Sequence, residues 1–307
     1  MPRLIKPRAL PPGGTIGIAA PGSPIDADKL EAGAALWREA GFRVVHRDDV
    51  VAREGYLAGD DDRRATELME LVEDTSVDAI VCARGGYGCD RILDRLDPAA
   101  FRKARKPLAG YSDITALLLW QQRRAGLAGF HGPMIEYGAE TDRASLRGLA
   151  EQLTGEAAVP ITLQGRGAGG GRTEGRLVGG NLILVAASLG TSWEIETKGA
   201  ILLLEEVGEL PYRVDRLLQQ LRGAGKLAPL AGVGVGDFSQ CTDDRYPDHG
   251  ITRVLDEVFG PLGVPVVYDL PFGHTQRNAT WPFAGRATLD GDSGVLQILE
   301  RGVVRAS

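Results

Sequence analysis

A short apolar run, Leu108-Ala109, ends in Gly110-Tyr111-Ser112-Asp113, and apolar periodicity resumes at once with Ile114, Leu117, Leu118 and Trp120. The pattern predicts a strand, a sharp turn carrying one serine, and a helix. Such a turn lifts a hydroxyl above the carboxyl edge of a parallel sheet and aims a helix N-terminus at whatever reacts there. It suits a nucleophile. The alternative is a helix N-cap, a position that Ser, Thr and Asp all favour. Ile114 stands where the generic Gly-x-Ser-x-Gly elbow has its second glycine.

A serine hydroxyl needs a base, usually a histidine oriented by a carboxylate. The chain has four histidines. His46 ends an early strand, and His249 lies in the polar loop Asp243 to Gly250. His131, in Phe130-His131-Gly132-Pro133, and His274, in Phe272-Gly273-His274-Thr275, are the candidates, and periodicity does not choose between them. For the acid, Ile201-Leu202-Leu203-Leu204-Glu205-Glu206 reads as a buried strand ending in two carboxylates. A buried carboxylate needs a partner: either a histidine, or an arginine such as Arg213 or Arg216 for Glu205, with Glu206 facing water.

Arg84-Gly85-Gly86-Tyr87-Gly88 follows a strand and precedes a helical run. Glycines let backbone N–H groups converge on an anion, so this loop is a candidate oxyanion or carboxylate site beside Ser112, or else an ordinary turn. Gly165-Arg166-Gly167-Ala168-Gly169-Gly170 matches Gly-x-Gly-x-x-Gly but opens no helix, which argues against a dinucleotide site. Cys82, Cys89 and Cys241 form neither a disulfide framework nor a zinc spacing. No metal and no cofactor is expected.

The elements that must position these residues alternate. Strands are predicted at Thr15 to Ala20, Phe42 to His46, Val77 to Ala83, Pro107 to Gly110 and Gly129 to Pro133. A helix with Leu30, Ala34 and Trp37 on one face, and another over Asp61 to Glu73, lie between them. This is the pattern of a parallel α/β sheet. The expected organisation is an α/β domain over 1–160, a glycine-rich linker over 161–172 and a second, mixed domain over 173–307. The 307 residues, 43% hydrophobic and 25% charged, fit a soluble globular protein. A net charge of -6 argues against nucleic acid or an anionic membrane as partner. The basic run Arg102 to Lys106 is expected to be a solvated helix end. Residues 1–7 hold no signal-peptide core and no stretch approaches a membrane span, so a cytoplasmic location is expected.

Taken together and in order, several segments resemble the LD-carboxypeptidase family of serine peptidases, which includes the microcin C self-immunity peptidases. They are Ile18 to Ser23, Ala83 to Gly88, Gly110 to Asp113, His131 to Met134, Leu204 to Glu209, Tyr212 to Arg216 and Gly273 to Thr275. Glu206 departs from the pattern, where aspartate is common. The resemblance implies a flavodoxin- or Rossmann-like N-terminal sheet carrying the serine and a largely β C-terminal domain carrying the acid and base. It implies Ser112 as nucleophile, Glu205 as acid and His274 as base, with the N–H groups of Asp113 and Gly86 as oxyanion donors. Arg84, with Gly85 and Tyr87, is expected to meet the substrate. The implied activity is release of the terminal D-alanine from murein tetrapeptide in cytoplasmic peptidoglycan recycling, by a homodimer. The alternatives are cleavage of a peptidyl-nucleotide amide, as in microcin immunity, and a non-catalytic α/β ligand-binding protein.

Overall fold

The computed structural model describes residues 4–136 and 142–305. Its first five strands are β1 (Thr15–Ala19), β2 (Arg43–Val45), β3 (Ala79–Cys82), β4 (Leu108–Gly110) and β5 (Phe130–His131). They lie side by side in the order β5-β4-β3-β1-β2, all parallel. Parallel neighbours need crossovers, and helices lie in all four connections. These are α1 (Ala27–Glu39), α2 (Asp61–Glu73), α3 (Cys89–Ile92), α4 (Pro98–Ala104) and α5 (Ile114–Trp120). β1, β3 and β4 are buried along their whole length, as strands covered on both faces are. α1 buries Leu30, Ala34 and Trp37. α2 starts where Asp60 accepts the Arg63 N–H at 2.7 Å, and it buries Ala65, Leu68 and Val72.

After α6 (Arg143–Thr154), the chain builds a second sheet. Its strands are β6 (Ile161–Gln164), β7 (Arg166–Gly167), β8 (Arg172–Asn181), β9 (Ala200–Val207), β10 (Gly232–Ser239) and β11 (Val266–Tyr268). β8, β9, β10 and β11 are parallel. α7 (Leu182–Ala187), α8 (Pro211–Gly223) and α9 (Ile251–Phe259) lie between them in sequence. β12 (Trp281–Pro282) then leaves this sheet and pairs antiparallel with β5 in the first one. β13 (Arg286–Asp290) and β14 (Val295–Ile298) return to the second sheet, where β6 pairs with β14.

Two expectations need correction. Residues 161–172 are not a free linker, since β6 and β7 are strands of the second sheet. Gly165 lies so close to β11 that a Cβ would stand 2.2 Å from the Tyr268 carbonyl oxygen. The glycines here admit a neighbouring backbone rather than confer reach. The basic run after α4 is also not simply solvated. Arg105 donates to the Lys6 carbonyl at 2.8 Å, and Lys106 Nζ to that of Leu71 at 2.7 Å.

α5 joins the two halves. All seven of its residues are buried, and it packs on α7 and β8. Thr115 Oγ1 accepts the Asn181 N–H at 3.1 Å, tying the helix after Ser112 to the end of β8. One hydrophobic cluster therefore runs from Leu68 and Ile80 through Leu117 to Leu177 and Leu203.

Candidate active site

Ser112 lies two residues past the end of β4, with φ at 61°. Left-handed backbone at a non-glycine residue costs about 1–2 kcal/mol. It persists here because β4 on one side and the buried α5 on the other fix the turn. The result is a half-buried serine between buried Tyr111 and Asp113. Among the described residues no backbone N–H of the first turn of α5 donates to the Ser112 hydroxyl, so the hydroxyl is not engaged as a helix cap. The Asp113 carboxylate points away from the serine's task. It accepts the Cys89 N–H at 2.9 Å, and burial raises its pKa above the usual carboxylate value.

The glycine loop lies against this turn. A Cβ on Gly85 would stand 3.0 Å from Ser112 Oγ and 3.1 Å from the Asp113 nitrogen. The loop is fastened from outside the site: Ser23 N–H donates to the Gly85 carbonyl at 2.9 Å, and Tyr87 N–H donates to Ser23 Oγ at 3.2 Å. Among the described residues the N–H groups of Gly86 and Asp113 have no acceptor. Tyr87 is 45% exposed, with its ring edge-on to Tyr56 at 5.6 Å. Arg84 is not presented as a free anchor for a ligand carboxylate: its Nε lies 2.9 Å from Glu136 Oε2 and its Nη1 donates to the Pro24 carbonyl at 3.2 Å.

The acid and base come from the second sheet. Glu205 and Glu206 are adjacent on β9, so their side chains leave opposite faces. Glu205 is fully buried, and its Oε2 lies 2.6 Å from Nδ1 of His274. Glu206 does not face water. It is 2% exposed and accepts from Asn181 Nδ2 at 2.9 Å, Ile183 N–H at 3.0 Å and Val207 N–H at 2.9 Å. Burial raises the Glu206 pKa against these bonds. Neither arginine considered for Glu205 is its partner: Arg213 pairs with Glu209 at 3.6 Å, and Arg216 lies over the Tyr212 ring. Burial disfavours the charged form of His274, but the Glu205 contact, with the carboxylates of Glu206 and Asp237, outweighs it and raises its pKa.

The His274 ring meets the Tyr111 ring edge-on at 4.8 Å, which sets the imidazole beside the residue preceding Ser112. His131 has a different place. It is fully buried, stacked on Trp281 at 4.9 Å, and burial pushes its pKa down to about 3. His46 contacts the Arg47 carbonyl beyond the edge strand β2, and His249 sits in an exposed turn. Three residues of this region escape a reading by motif: Asn181, Trp281 and Asp237. Asn181 had a signal, since it ends a buried strand before a helix. Among the described residues no three His, Cys, Asp or Glu side chains converge as a metal site.

A serine on a strained strand-to-helix turn, with a buried Glu–His pair against the preceding tyrosine, is the constellation of a serine hydrolase on an α/β scaffold. The LD-carboxypeptidase N-terminal domain profile matches residues 16–132 and the C-terminal domain profile residues 174–289. The chain belongs to the LD-carboxypeptidase family and is a serine carboxypeptidase. It is 36% identical to a probable murein peptide carboxypeptidase of Bacillus subtilis, over 97% of this chain and 95% of that one. Among solved structures it is similar to the muramoyltetrapeptide carboxypeptidase of Oxalobacter formigenes, at 31% identity and a TM-score of 0.84, covering 92% of this chain and 97% of that one. The structure of MccF with glutamyl sulfamoyl guanosine shares the fold, with a TM-score of 0.89 at 22% identity, over 97% and 99% of the two chains.

Proposed function

We propose that this carboxypeptidase removes the terminal D-alanine from murein tetrapeptide through an acyl-enzyme on Ser112. The observation that carries this reading is the 2.6 Å contact between buried Glu205 and His274, whose ring abuts Tyr111 next to the serine. Ser112 Oγ attacks the carbonyl carbon of the bond before D-alanine while His274 Nε2 takes its proton. Glu205 holds Nδ1–H, fixing the tautomer and stabilising the imidazolium. The N–H groups of Asp113 and Gly86, which have no acceptor of their own, receive the oxyanion. Each such donor is typically worth about 3 kcal/mol in the transition state. His274 then returns the proton to the leaving amine, and water releases the acyl group by the same steps in reverse order.

The substrate class is supported by the names of the relatives at 36% and 31% identity. A soluble cytoplasmic role in wall recycling suits that substrate, and no helix among the described residues is long and apolar enough to cross a membrane. Gly85 and Tyr87 form the mouth the peptide enters. We expect a homodimer, to be checked by light scattering. The function is tested by mass spectrometry of murein tetrapeptide incubated with wild type and Ser112→Ala. Loss of one D-alanine with wild type alone supports the proposal. Equal hydrolysis by Ser112→Ala overturns the serine mechanism, and an intact tetrapeptide with wild type overturns the substrate.

A further inference from the structure

β10 breaks its pairing with β9 at one place. Val235 pairs with Leu204 and Phe238 with Glu206, so Gly236 and Asp237 form a bulge opposite Glu205. Bulges beside active sites re-aim side chains. Here the segment leading to His274 pairs with the bulge: Leu270 N–H donates to the Val235 carbonyl at 3.0 Å, and Asp237 N–H to that of Phe272 at 2.8 Å. Gly273 lies between two carboxylate-bearing side chains. A Cβ there would stand 2.8 Å from Glu205 Cβ, 3.1 Å from Glu205 Oε2 and 3.2 Å from Asp237 Cβ. His274 is the next residue. Glu205 and Asp237 thus crowd the same side of the residue that precedes the histidine.

Asp237 is fixed in this place. Its Oδ2 accepts the Ser239 N–H at 3.2 Å and the Ser239 hydroxyl. No arginine or lysine pairs with it among the described residues. Arg277, on the same loop as His274, lines with Asp237 and Thr275 a cleft of about 360 Å³ but forms no ion pair with it. Arg166 lines the same cleft and pairs with Asp269 instead, so Asp237 has no ion-pair partner among the described residues and stands beside the residue that precedes His274.

We propose that Asp237 is a positioning residue: a second carboxylate, delivered by the β10 bulge, that supports the cationic form of His274 without touching the substrate. An imidazolium forms each time Ser112 gives up its proton, and a negative charge on the neighbouring strand favours it. The other titratable groups facing His274 are Glu205 and Glu206 on β9, Tyr111 after β4, and His131 on β5, the last neutral. This inference rests on the reading of His274 as the base, and its test is arranged to separate the two.

The experiment is an NMR titration of the His274 ring in full-length Asp237→Asn and Ser239→Ala, with kcat/KM measured against pH on the same proteins. Asparagine keeps the shape and the Ser239 bond but removes the charge. The expected result is a lower His274 pKa in Asp237→Asn, with the acid limb of kcat/KM shifted down equally. Ser239→Ala keeps the wild-type titration. An unchanged His274 pKa in folded Asp237→Asn overturns the inference. So does an equal shift in Ser239→Ala, which would mark a structural effect of the loop. Full activity of His274→Ala would instead overturn the base assignment and leave the titration result standing.

Discussion

Trp281 stands directly opposite His131 in the first sheet, although the chain reaches it from the second. The two rings stack at 4.9 Å and 11°. The segment between β11 and β12, which carries His274, is thus fixed to one sheet at each end. That segment also brings the His274 ring against Tyr111, the residue before Ser112. Trp281→Ala removes a fully buried ring and is expected to cost about 3–5 kcal/mol in denaturant unfolding, with kcat falling as the His274 segment loosens. His131→Phe keeps the ring plane. Neither His131 nitrogen has a hydrogen-bond partner, so this variant is expected to stay within about 1 kcal/mol of wild type.

Glu205 and Glu206 are neighbours with opposite duties, and amide substitution separates them. Glu205→Gln removes the charge that favours protonated His274 and allows the wrong tautomer. The expected loss in kcat is roughly 10³- to 10⁴-fold with stability little changed. Glu206→Gln disturbs the bonds to Asn181 and Ile183. It is expected to lower stability by about 1–3 kcal/mol and leave kcat within about tenfold. Steady-state kinetics beside thermal unfolding reads both. The opposite pattern would exchange the two assignments.

Local grammar made much of this legible. α2 spans Asp61–Glu73 as its periodicity and the Asp60 cap dictate, and the Ser112 turn is written in consecutive residues. What depends on contacts far apart in sequence was not legible. Periodicity does not choose between His274 and His131, and only the resemblance does; the packing of Gly273 against β9 and β10 and the crossing of β12 to the first sheet lie beyond any local pattern. Glycines over 161–172 read as flexible because composition does not reveal a carbonyl 2.2 Å from an absent Cβ. The ion pair of Arg84 with Glu136 was not legible either, because nothing local announces it. The bulge at Gly236 and Asp237 interrupts the alternation from which a strand's facing residues are read.

The raised pKa of His274 gives two opposed pH dependences. Its folded value lies above the ordinary 6.5. The stability it contributes is fully present below the unfolded pKa and is lost as pH rises through the folded one. Catalysis needs the neutral ring, so kcat/KM rises with pH over the same window, with its acid limb centred above 6.5. Denaturant unfolding at about pH 5.5 and about pH 9, run on wild type and His274→Gln, should show this contribution shrinking at the higher pH in wild type only. An acid limb below 6.5 would contradict the raised value.

Gly273 carries a severe geometric demand in the site. Its φ is 114°, a conformation that L side chains rarely adopt, and its missing Cβ leaves room for Glu205. Gly273→Ala must either move the backbone or push Glu205 Cβ outward from 2.8 Å to ordinary contact. A shift of that size breaks the 2.6 Å bond to His274 Nδ1. A displacement near 1 Å at a catalytic group costs on the order of 10²-fold. The backbone strain adds about 1–3 kcal/mol of destabilisation. The expected phenotype is a folded, less stable protein whose kcat falls by at least about 10²-fold, while KM changes little because Ser112 and the glycine loop are untouched. A Gly273→Ala protein with wild-type kcat would show that Glu205 need not hold His274 at this distance.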